Sequence, residues 1–504
     1  MIRRVCAGGA LLASLLASSA AVAAPSCAQL TALRIPDVRI VRTSEIKPDP
    51  IWTAPLATPP SGYAAPVRKA FCRVEGMIED EIGFELWLPL PAEWTGRMLG
   101  TGNGGFAGFI RYEGLARGVN RGMAAASTDT GHRISEANWS IGKPRRLENY
   151  GHRGQHLLAV NSKAIIAAYY GRGSDHNYFV GCSGGGMQGM NEVQKYPADY
   201  DGIIAGAHGQ SIVGISARWL NSALIARYSP AAHMTAKDWQ GVAAAATKAC
   251  DAKDGALDGI IADPRQCSFD VGSAPGLTSA QAATARTLYG PVYGKNGKVL
   301  YPGFTPGVAY APINDPGRPG ELFAQWLYGD PAWDVRQFDA GRDVPAAENA
   351  VPGASPTNPN LEAFAARGGK FISFHGWNDE IVPVRSTIDY YEKVQRFMGA
   401  ERAASFYKLY LASGMDHCRG GVGPDNFGAS FGEELPDPNP GNDLLMAMID
   451  WVEKGVEPGR IVASKLKDGK ITMSRPVCQW PTSLRHRGKG DVNLAESWAC
   501  VPPR

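Results

Sequence analysis

Residues 176–195 read His-Asn-Tyr-Phe-Val-Gly-Cys-Ser-Gly-Gly-Gly-Met-Gln-Gly-Met-Asn-Glu-Val-Gln-Lys, with the serine at position 183. The aromatic and β-branched residues at 176–180 predict a buried strand, and residues 186–195 predict a helix. A strand that enters a helix through Gly-x-Ser-x-Gly is typical of a nucleophile elbow, whose sharp turn presents the serine hydroxyl above the edge of a sheet. The helix N-terminus also favours a developing negative charge nearby. Ser183 is therefore a candidate nucleophile, and the alternative is a glycine-rich turn whose serine only caps the helix.

Two segments further along the chain could supply partners for such a serine. Residues 370–374 predict a strand shortly before Asp379, and residues 405–410 predict another strand before His417. An acid after one late strand and a histidine after the next give the order Ser, Asp, His, which distinguishes this architecture from other serine-nucleophile arrangements. The sequence therefore predicts a catalytic triad of Ser183, Asp379 and His417.

Other residues compete for the acid and base roles. His375 lies four residues before the candidate acid at the same strand end, which favours a structural role. Asp416 is adjacent to His417, so its carboxylate cannot easily face the same imidazole, and Glu380 is a weaker candidate acid. His132 precedes the serine, which is the wrong chain order for a base, and we expect it to be structural as well.

A glycine-rich segment precedes the candidate nucleophile. Residues 102–108 read Gly-Asn-Gly-Gly-Phe-Ala-Gly and follow a strand predicted to begin at Arg97. In this architecture the loop after an early strand supplies the second N–H donor for an oxyanion. A phosphate-binding loop is disfavoured because no Gly-Lys-Ser/Thr follows. A plain glycine turn is the remaining alternative.

Length and composition predict more than one domain. The 504 residues exceed an ordinary domain, and a chain that is 44% hydrophobic and 20% charged has ample material for a core. The net charge of +3 gives no reason to expect a nucleic-acid partner. Residues 208–362 combine helical stretches with many turns, as expected for a lid inserted into an α/β catalytic domain at 24–207 and 363–504. The proline-rich residues 27–62 are expected to be irregular.

The N-terminus and the cysteines indicate export. Residues 1–23 have a basic start, an apolar Ala/Leu run and a small-x-small end, which predicts a signal peptide and a secreted or periplasmic protein. No later stretch is long and apolar enough to cross a membrane. Eight cysteines remain after residue 23, an even number that favours disulfides. Cys182 precedes the candidate nucleophile and Cys418 follows the candidate base, so we expect these two to be bonded if the triad assembles.

An acidic loop lies within the predicted lid. Residues 250–260 place Asp251, Asp254 and Asp258 among glycines. Carboxylates on a tight loop can supply the oxygen ligands that Ca²⁺ prefers, although the spacing is not that of an EF-hand. A solvated Asp-Gly turn is the alternative. Cys267 follows closely and could pair with Cys250.

Together these motifs resemble the tannase and feruloyl esterase family of α/β-hydrolases, which includes the bacterial hydrolase of mono-hydroxyethyl terephthalate. The resemblance rests on Gly-Cys-Ser183-x-Gly-Gly, the Asp-Gly loop beside Cys250, His-Gly-x-x-Asp379 and Gly-Met-Asp-His417-Cys, in the family's order. It implies an α/β fold in which an α/β-hydrolase core carries a large, mainly helical lid.

The resemblance also implies the details of the site. The oxyanion donors would be Gly105 and Gly184, although the terephthalate-ester hydrolase has a glutamate at the second position. A structural Ca²⁺ in the lid would be held by the three carboxylates and two carbonyls, namely Asp251, Asp254, Ala256, Asp258 and Ile260. The implied disulfides are Cys182–Cys418, Cys27–Cys72, Cys250–Cys267 and Cys478–Cys500.

The predicted function is a serine esterase that cleaves esters of an aromatic acid, of the feruloyl, hydroxycinnamoyl or galloyl type, through an acyl-enzyme on Ser183. An esterase for terephthalate half-esters or other synthetic aromatic esters is the alternative of the same class. A non-catalytic, calcium-dependent binding protein on the same scaffold is the alternative of a different class. We expect a small aromatic ester as the partner, with no organic cofactor, nucleic acid or membrane involved.

Overall fold

The computed structural model describes residues 25–49, 66–209, 211–310, 314–351, 353–429 and 435–502. The predicted signal peptide, residues 1–23, lies outside these ranges. Within them, no helix has both the length and the apolar character that crossing a membrane requires.

Strands from both ends of the sequence build one large sheet. The strands are, in chain order, β1 (Val38–Ile46), β2 (Phe71–Ile78), β3 (Ile82–Pro89), β4 (Arg97–Thr101), β5 (Ala124–Thr128), β6 (His176–Cys182), β7 (Gly202–Gly206), β8 (Val292–Tyr293), β9 (Val299–Tyr301), β10 (Lys370–Gly376), β11 (Tyr407–Ala412), β12 (Ile461–Lys467), β13 (Lys470–Gln479), β14 (Ser483–His486) and β15 (Trp498–Val501). In the described residues, eleven of them form a sheet in the order β1-β2-β3-β5-β4-β6-β7-β10-β11-β13-β12. The central strands from β5 to β11 are parallel, and both flanks are antiparallel.

Helices cover the sheet and fill the long excursion between β7 and β10. They are α1 (Tyr112–Asn120), α2 (Pro144–Glu148), α3 (Gly154–Tyr170), α4 (Gly184–Lys195), α5 (Ile212–Tyr228), α6 (Ala236–Cys250), α7 (Ser279–Tyr289), α8 (Gly317–Phe323), α9 (Ala340–Ala350), α10 (Glu362–Ala366), α11 (Val384–Met398), α12 (Ala400–Ala404) and α13 (Leu444–Lys454). A large mixed sheet with helices is an α/β-hydrolase-like architecture.

The parallel strands determine where a site can form. Every residue of β7 and β11 is buried, as expected for strands covered on both faces. In the register of the sheet, Cys182 at the end of β6 pairs with Gly206 of β7, and Gly206 pairs with Phe374 of β10. The carboxyl ends of β6, β10 and β11 therefore meet at one edge, and Ser183, Asp379 and His417 all follow these strands.

The N-terminal segment differs from the prediction of irregular structure. Residues 38–46 form the edge strand β1, which pairs antiparallel with β2. Prolines flank this strand at positions 36 and 48 and do not interrupt it. Its exposed Arg42 bonds Glu75 of β2 with Nε to Oε2 at 2.6 Å. Charged side chains suit a solvated edge strand. Because of them, β1 lacks the apolar alternation from which strands are predicted.

The segment between β7 and β10 has its own apolar core. In the described residues it adds only the small β8–β9 sheet, apart from the large sheet. Side chains of α5, α8 and α9, such as Leu220, Phe323 and Val344, cluster with Met187 of α4 and Val382 near β10. Helical structure dominates this segment, and its packing against α4 places it next to Ser183.

Candidate active site

Ser183 sits in a strained turn between β6 and α4. Its φ of 62° and ψ of −125° lie in a region that residues with a Cβ rarely adopt. The turn leaves no room for a side chain at position 181, since a Cβ on Gly181 would lie 2.4 Å from the carbonyl oxygen of Gly185. The N–H of Ser183 donates to Gly206 at 2.9 Å. Although Ser183 is at the N-cap position of α4, its hydroxyl makes no capping hydrogen bond there, which argues against a purely structural serine.

Asp379 and His417 form a hydrogen-bonded pair at the same edge. His417 Nδ1 lies 2.8 Å from Asp379 Oδ2, while Asp379 Oδ1 accepts the N–H groups of Ile381 at 2.9 Å and Val382 at 2.7 Å. Burial alone would raise the pKa of Asp379, but the His417 and His375 imidazoles hold it well below its usual range. Burial would lower the pKa of His417, and the charge and hydrogen bond of Asp379 raise it above its usual value.

His375, expected to be structural, contacts the acid of this pair. Its Nε2 lies 2.9 Å from Asp379 Oδ2 and 3.0 Å from the carbonyl of Val382, and its Nδ1 lies 2.8 Å from Thr387 Oγ1. Both Nε2 partners are acceptors, so a neutral His375 carries its proton on Nε2 and accepts from Thr387. Asp379 Oδ2 therefore receives two imidazole donors. The motif placed His375 near the acid, but no sequence pattern indicated the direction of its ring.

The structure places the remaining candidates for the acid and base roles in other environments. Glu380 Oε2 accepts the backbone N–H of His417 at 3.1 Å, so it supports the histidine loop rather than the ring. Asp416 is partly buried, and desolvation together with the charge of Glu380 raises its pKa to about 7. His132 is buried and donates from Nε2 to the carbonyl of Phe106 at 2.8 Å.

A disulfide joins the serine and histidine loops. Cys182 and Cys418, 236 positions apart in the sequence, are bonded with a Cα–Cα distance of 6.0 Å. This bond brings together the residues adjacent to them, Ser183 and His417. The other three implied disulfides, Cys27–Cys72, Cys250–Cys267 and Cys478–Cys500, are also present. All four predicted pairings are confirmed.

The glycine-rich loop packs directly on the first turn of α4. A Cβ on Gly184 would lie 2.6 Å from the carbonyl oxygen of Gly105 and 3.1 Å from its nitrogen. Gly105 itself has a φ of 54°, a left-handed conformation that glycine adopts without strain. The two glycines expected to supply the oxyanion N–H groups thus adjoin each other beside Ser183.

The three carboxylates of the acidic loop lie close enough for two of them to act on the third. Burial, and then the charges of Asp258 and Asp251, raise the pKa of Asp254 to about 7. The structure adds a residue that the sequence did not point to, Arg475, whose Nη2 lies 2.7 Å from Asp258 Oδ2. Across the described ranges, no three His, Cys, Asp or Glu side chains are grouped so as to hold a metal ion. The three carboxylates of the loop are thus not arranged around one point, and each of them accepts a main-chain N–H group of the same loop.

Comparison with known proteins identifies the family of this chain. The sequence model described as "Tannase and feruloyl esterase" matches residues 66–351 and 333–501. An uncharacterised esterase of Xanthomonas campestris is 34% identical, covering 99% of this chain and 94% of its own length. A protein of Aspergillus flavus named "Probable feruloyl esterase B-1" is 32% identical, over 97% of this chain and 99% of its own. The crystal structure of feruloyl esterase B from Aspergillus oryzae superposes with a TM-score of 0.86 and 28% identity, covering 94% of this chain and all of the other.

The fold and these relatives define a carboxylic ester hydrolase with an α/β-hydrolase-like architecture. Within that class, the chain belongs to the tannase and feruloyl esterase family. Its substrate is therefore an ester.

Proposed function

We propose that this protein is an exported serine esterase that releases aromatic acids, of the hydroxycinnamoyl or galloyl type, from their esters. The observation that carries the proposal is the strained Ser183, which the Cys182–Cys418 disulfide brings near His417, whose Nδ1 is bonded to a buried Asp379 at 2.8 Å. Four disulfides fit an oxidising compartment. The names of the relatives favour aromatic acyl groups.

The mechanism has two acyl-transfer steps. Asp379 fixes the proton of His417 on Nδ1, so Nε2 is free to take the proton of the Ser183 hydroxyl as its oxygen attacks the ester carbonyl. The resulting oxyanion rests on the N–H groups of Gly105 and Gly184, each contributing about 3 kcal/mol. His417 then protonates the departing alcohol. Water, activated by the same histidine, releases the acid from the acyl-enzyme.

A cleft next to the oxyanion loop suits an aromatic group. Its walls include Phe106, Trp139 and Trp326, with the carboxylates of Glu136 and Glu321 among them. Aromatic walls favour stacking on a ring. The Glu136 carboxylate is already paired with an arginine at 2.5 Å, and the Glu321 carboxylate already accepts from a glutamine. The aromatic walls therefore favour an acyl group that contains a ring, and the names of the relatives favour a phenolic one.

We further propose that the acidic loop of the lid, residues 208–362, binds a structural Ca²⁺. The ligands would be Asp251, Asp254 and Asp258 with the carbonyls of Ala256 and Ile260. Three acidic side chains of this loop face one arginine, and the excess negative charge, which acts on Asp254, is what a hard cation would neutralise. The ion would stabilise the fold and take no part in the reaction.

A matched substrate panel tests the catalytic proposal. Methyl ferulate, methyl gallate, a terephthalate half-ester and a short aliphatic ester are hydrolysed by wild type and by Ser183→Ala. We expect a phenolic ester to be cleaved fastest, and Ser183→Ala to lower kcat by about 10⁵–10⁶-fold with an unchanged circular dichroism spectrum. Turnover by Ser183→Ala would contradict the acyl-enzyme, and a preference for the half-ester would contradict the substrate class.

A further inference from the structure

Three buried amide side chains link the oxyanion loop to the helices behind it. Asn103 belongs to the loop, Gln188 to α4 and Gln155 to α3, and they are 0%, 3% and 1% exposed. A buried primary amide is costly unless its donors and acceptors are paired, so such a cluster holds its partners in defined positions. None of the three residues belongs to the triad.

The amides make a reciprocal set of hydrogen bonds. The backbone N–H of Asn103 donates to Gln188 Oε1 at 2.9 Å, and Gln188 Nε2 donates back to Asn103 Oδ1 at 3.0 Å. Gln155 Nε2 adds a bond to Gln188 Oε1 at 3.1 Å. Asn103 Nδ2 donates to the carbonyls of Thr128, at 2.9 Å, and Phe109. Asn103 thus fixes the loop through both its backbone N–H and its side chain.

These bonds act on the segment that carries the oxyanion donors. Asn103 is two residues before Gly105, and Gln188 is four residues after Gly184 on the helix that begins there. Loop and helix also touch directly, since a Cβ on Gly185 would lie 2.6 Å from the carbonyl oxygen of Asn103. The amide cluster therefore bonds the loop that carries one of the two N–H groups to the helix that carries the other.

We propose that Gln188, bonded to Asn103 and supported by Gln155, is a positioning residue for the oxyanion site. The inference rests on the proposed function, because it assigns the N–H groups of Gly105 and Gly184 to the oxyanion. Donors contribute fully only when they are aligned with the oxygen of the transition state, so a small shift of the loop weakens stabilisation without affecting ground-state binding.

The test replaces each glutamine with methionine, whose side chain has a similar length but no amide. Gln188→Met removes both bonds to Asn103 and should lower kcat by about 10–100-fold, a part of the 10²–10³-fold lost when a whole donor is removed. KM should stay nearly constant. Inhibition by an aryl trifluoromethyl ketone, which adds to the serine as a tetrahedral oxyanion, should weaken by the same factor as kcat. Gln155→Met removes the bond to Gln188 and a longer one to Asn103 Oδ1 at 3.4 Å. It keeps both bonds between Asn103 and Gln188 and should have a smaller effect of the same kind.

Asn191 provides a matched control on the same helix. It is fully buried, and its Nδ2 donates to the carbonyls of Gly151 and Gly353 at 3.0 Å each, away from the oxyanion loop. Asn191→Leu should lower the unfolding midpoint but leave kcat and ketone inhibition unchanged. If Gln188→Met retains kcat and ketone affinity, the positioning role is wrong.

Two further outcomes separate the possible failures. If Gln188→Met does not fold, Gln155→Met decides by the same two readouts, and unchanged values would overturn the proposal. Turnover by Ser183→Ala would overturn the proposed function itself. An inactive Ser183→Ala combined with a fully active Gln188→Met would overturn the positioning role alone.

Discussion

At the scale of single residues, Asp379 is the most constrained group of the site. Its two oxygens accept two backbone N–H groups and two imidazoles, those of His417 and His375. A carboxylate with this many donors stays ionised, and it fixes the proton of His417 on Nδ1. The general base is thereby held in the tautomer that can accept the serine proton.

The pH dependence of turnover tests this arrangement. His417 must be neutral to act as a base, and its pKa is raised, so kcat/KM should fall as the pH drops through a midpoint above the ordinary imidazole value of about 6.5. Asp379→Asn removes the charge that raises the pKa of His417. The variant should move this midpoint to lower pH and reduce kcat by about 10⁴-fold. A pH profile with the same midpoint in both proteins would contradict the pairing.

At the scale of elements, the disulfide Cys182–Cys418 connects the ends of β6 and β11 at the site. Chain-entropy reasoning for a separation of 236 residues gives about 5 kcal/mol of stabilisation, and about 4 kcal/mol for Cys27–Cys72 with a separation of 45. The two disulfides therefore stabilise the fold by comparable amounts, but they lie in different parts of the molecule. Cys27–Cys72 attaches the N-terminal segment to β2, near the edge of the sheet.

Removing each bond should separate stability from activity. The double variant C182A/C418A should lose kcat by more than tenfold, since about 1 Å of misplacement between catalytic groups can cost 10²-fold. The control C27A/C72A should lower the unfolding midpoint by a similar amount and keep kcat near that of wild type. The activity of both variants is measured at a temperature below the lower of their two unfolding midpoints. Equal activity in the two variants would show that the active-site disulfide has no part in positioning the triad.

Sequence patterns predicted the elements around the triad better than those at the margins. Strands β6, β10 and β11 and helix α4 lie where the sequence pattern placed them, because buried elements carry that pattern. The edge strand β1 was missed, and no strand was predicted after Cys418, although β12 and β13 extend the sheet there. Among the described strands, this hairpin joins the sheet only through β11, where Tyr410 pairs with Gln479, far away in the sequence. The contact of Arg475 with Asp258, 217 positions apart, was unpredictable for the same reason.

At the scale of the whole molecule, the acidic loop ties the segment between β7 and β10 to the C-terminus. Ala256 and Ala262 of the loop region pack with Leu484 and Trp498 of the β14–β15 hairpin. Arg475 of β13 adds the ion pair with Asp258. An ion bound to this loop would therefore stabilise contacts between two distant parts of the chain.

Chelation tests the structural calcium at this scale. Because an ion that binds only the folded state at 100 times its Kd adds about 2.7 kcal/mol, EDTA should lower the unfolding midpoint by about 3 °C for a chain of this length. Activity below the midpoint should persist, since the ion takes no part in the reaction. Asp254→Asn should abolish the response to EDTA and to added Ca²⁺, whereas the exposed Asp270→Asn, in the same segment, should retain it. If the unfolding midpoint of wild type responds to neither EDTA nor Ca²⁺, the calcium proposal is wrong and the acidic loop is a turn held by its own main-chain hydrogen bonds and by Arg475.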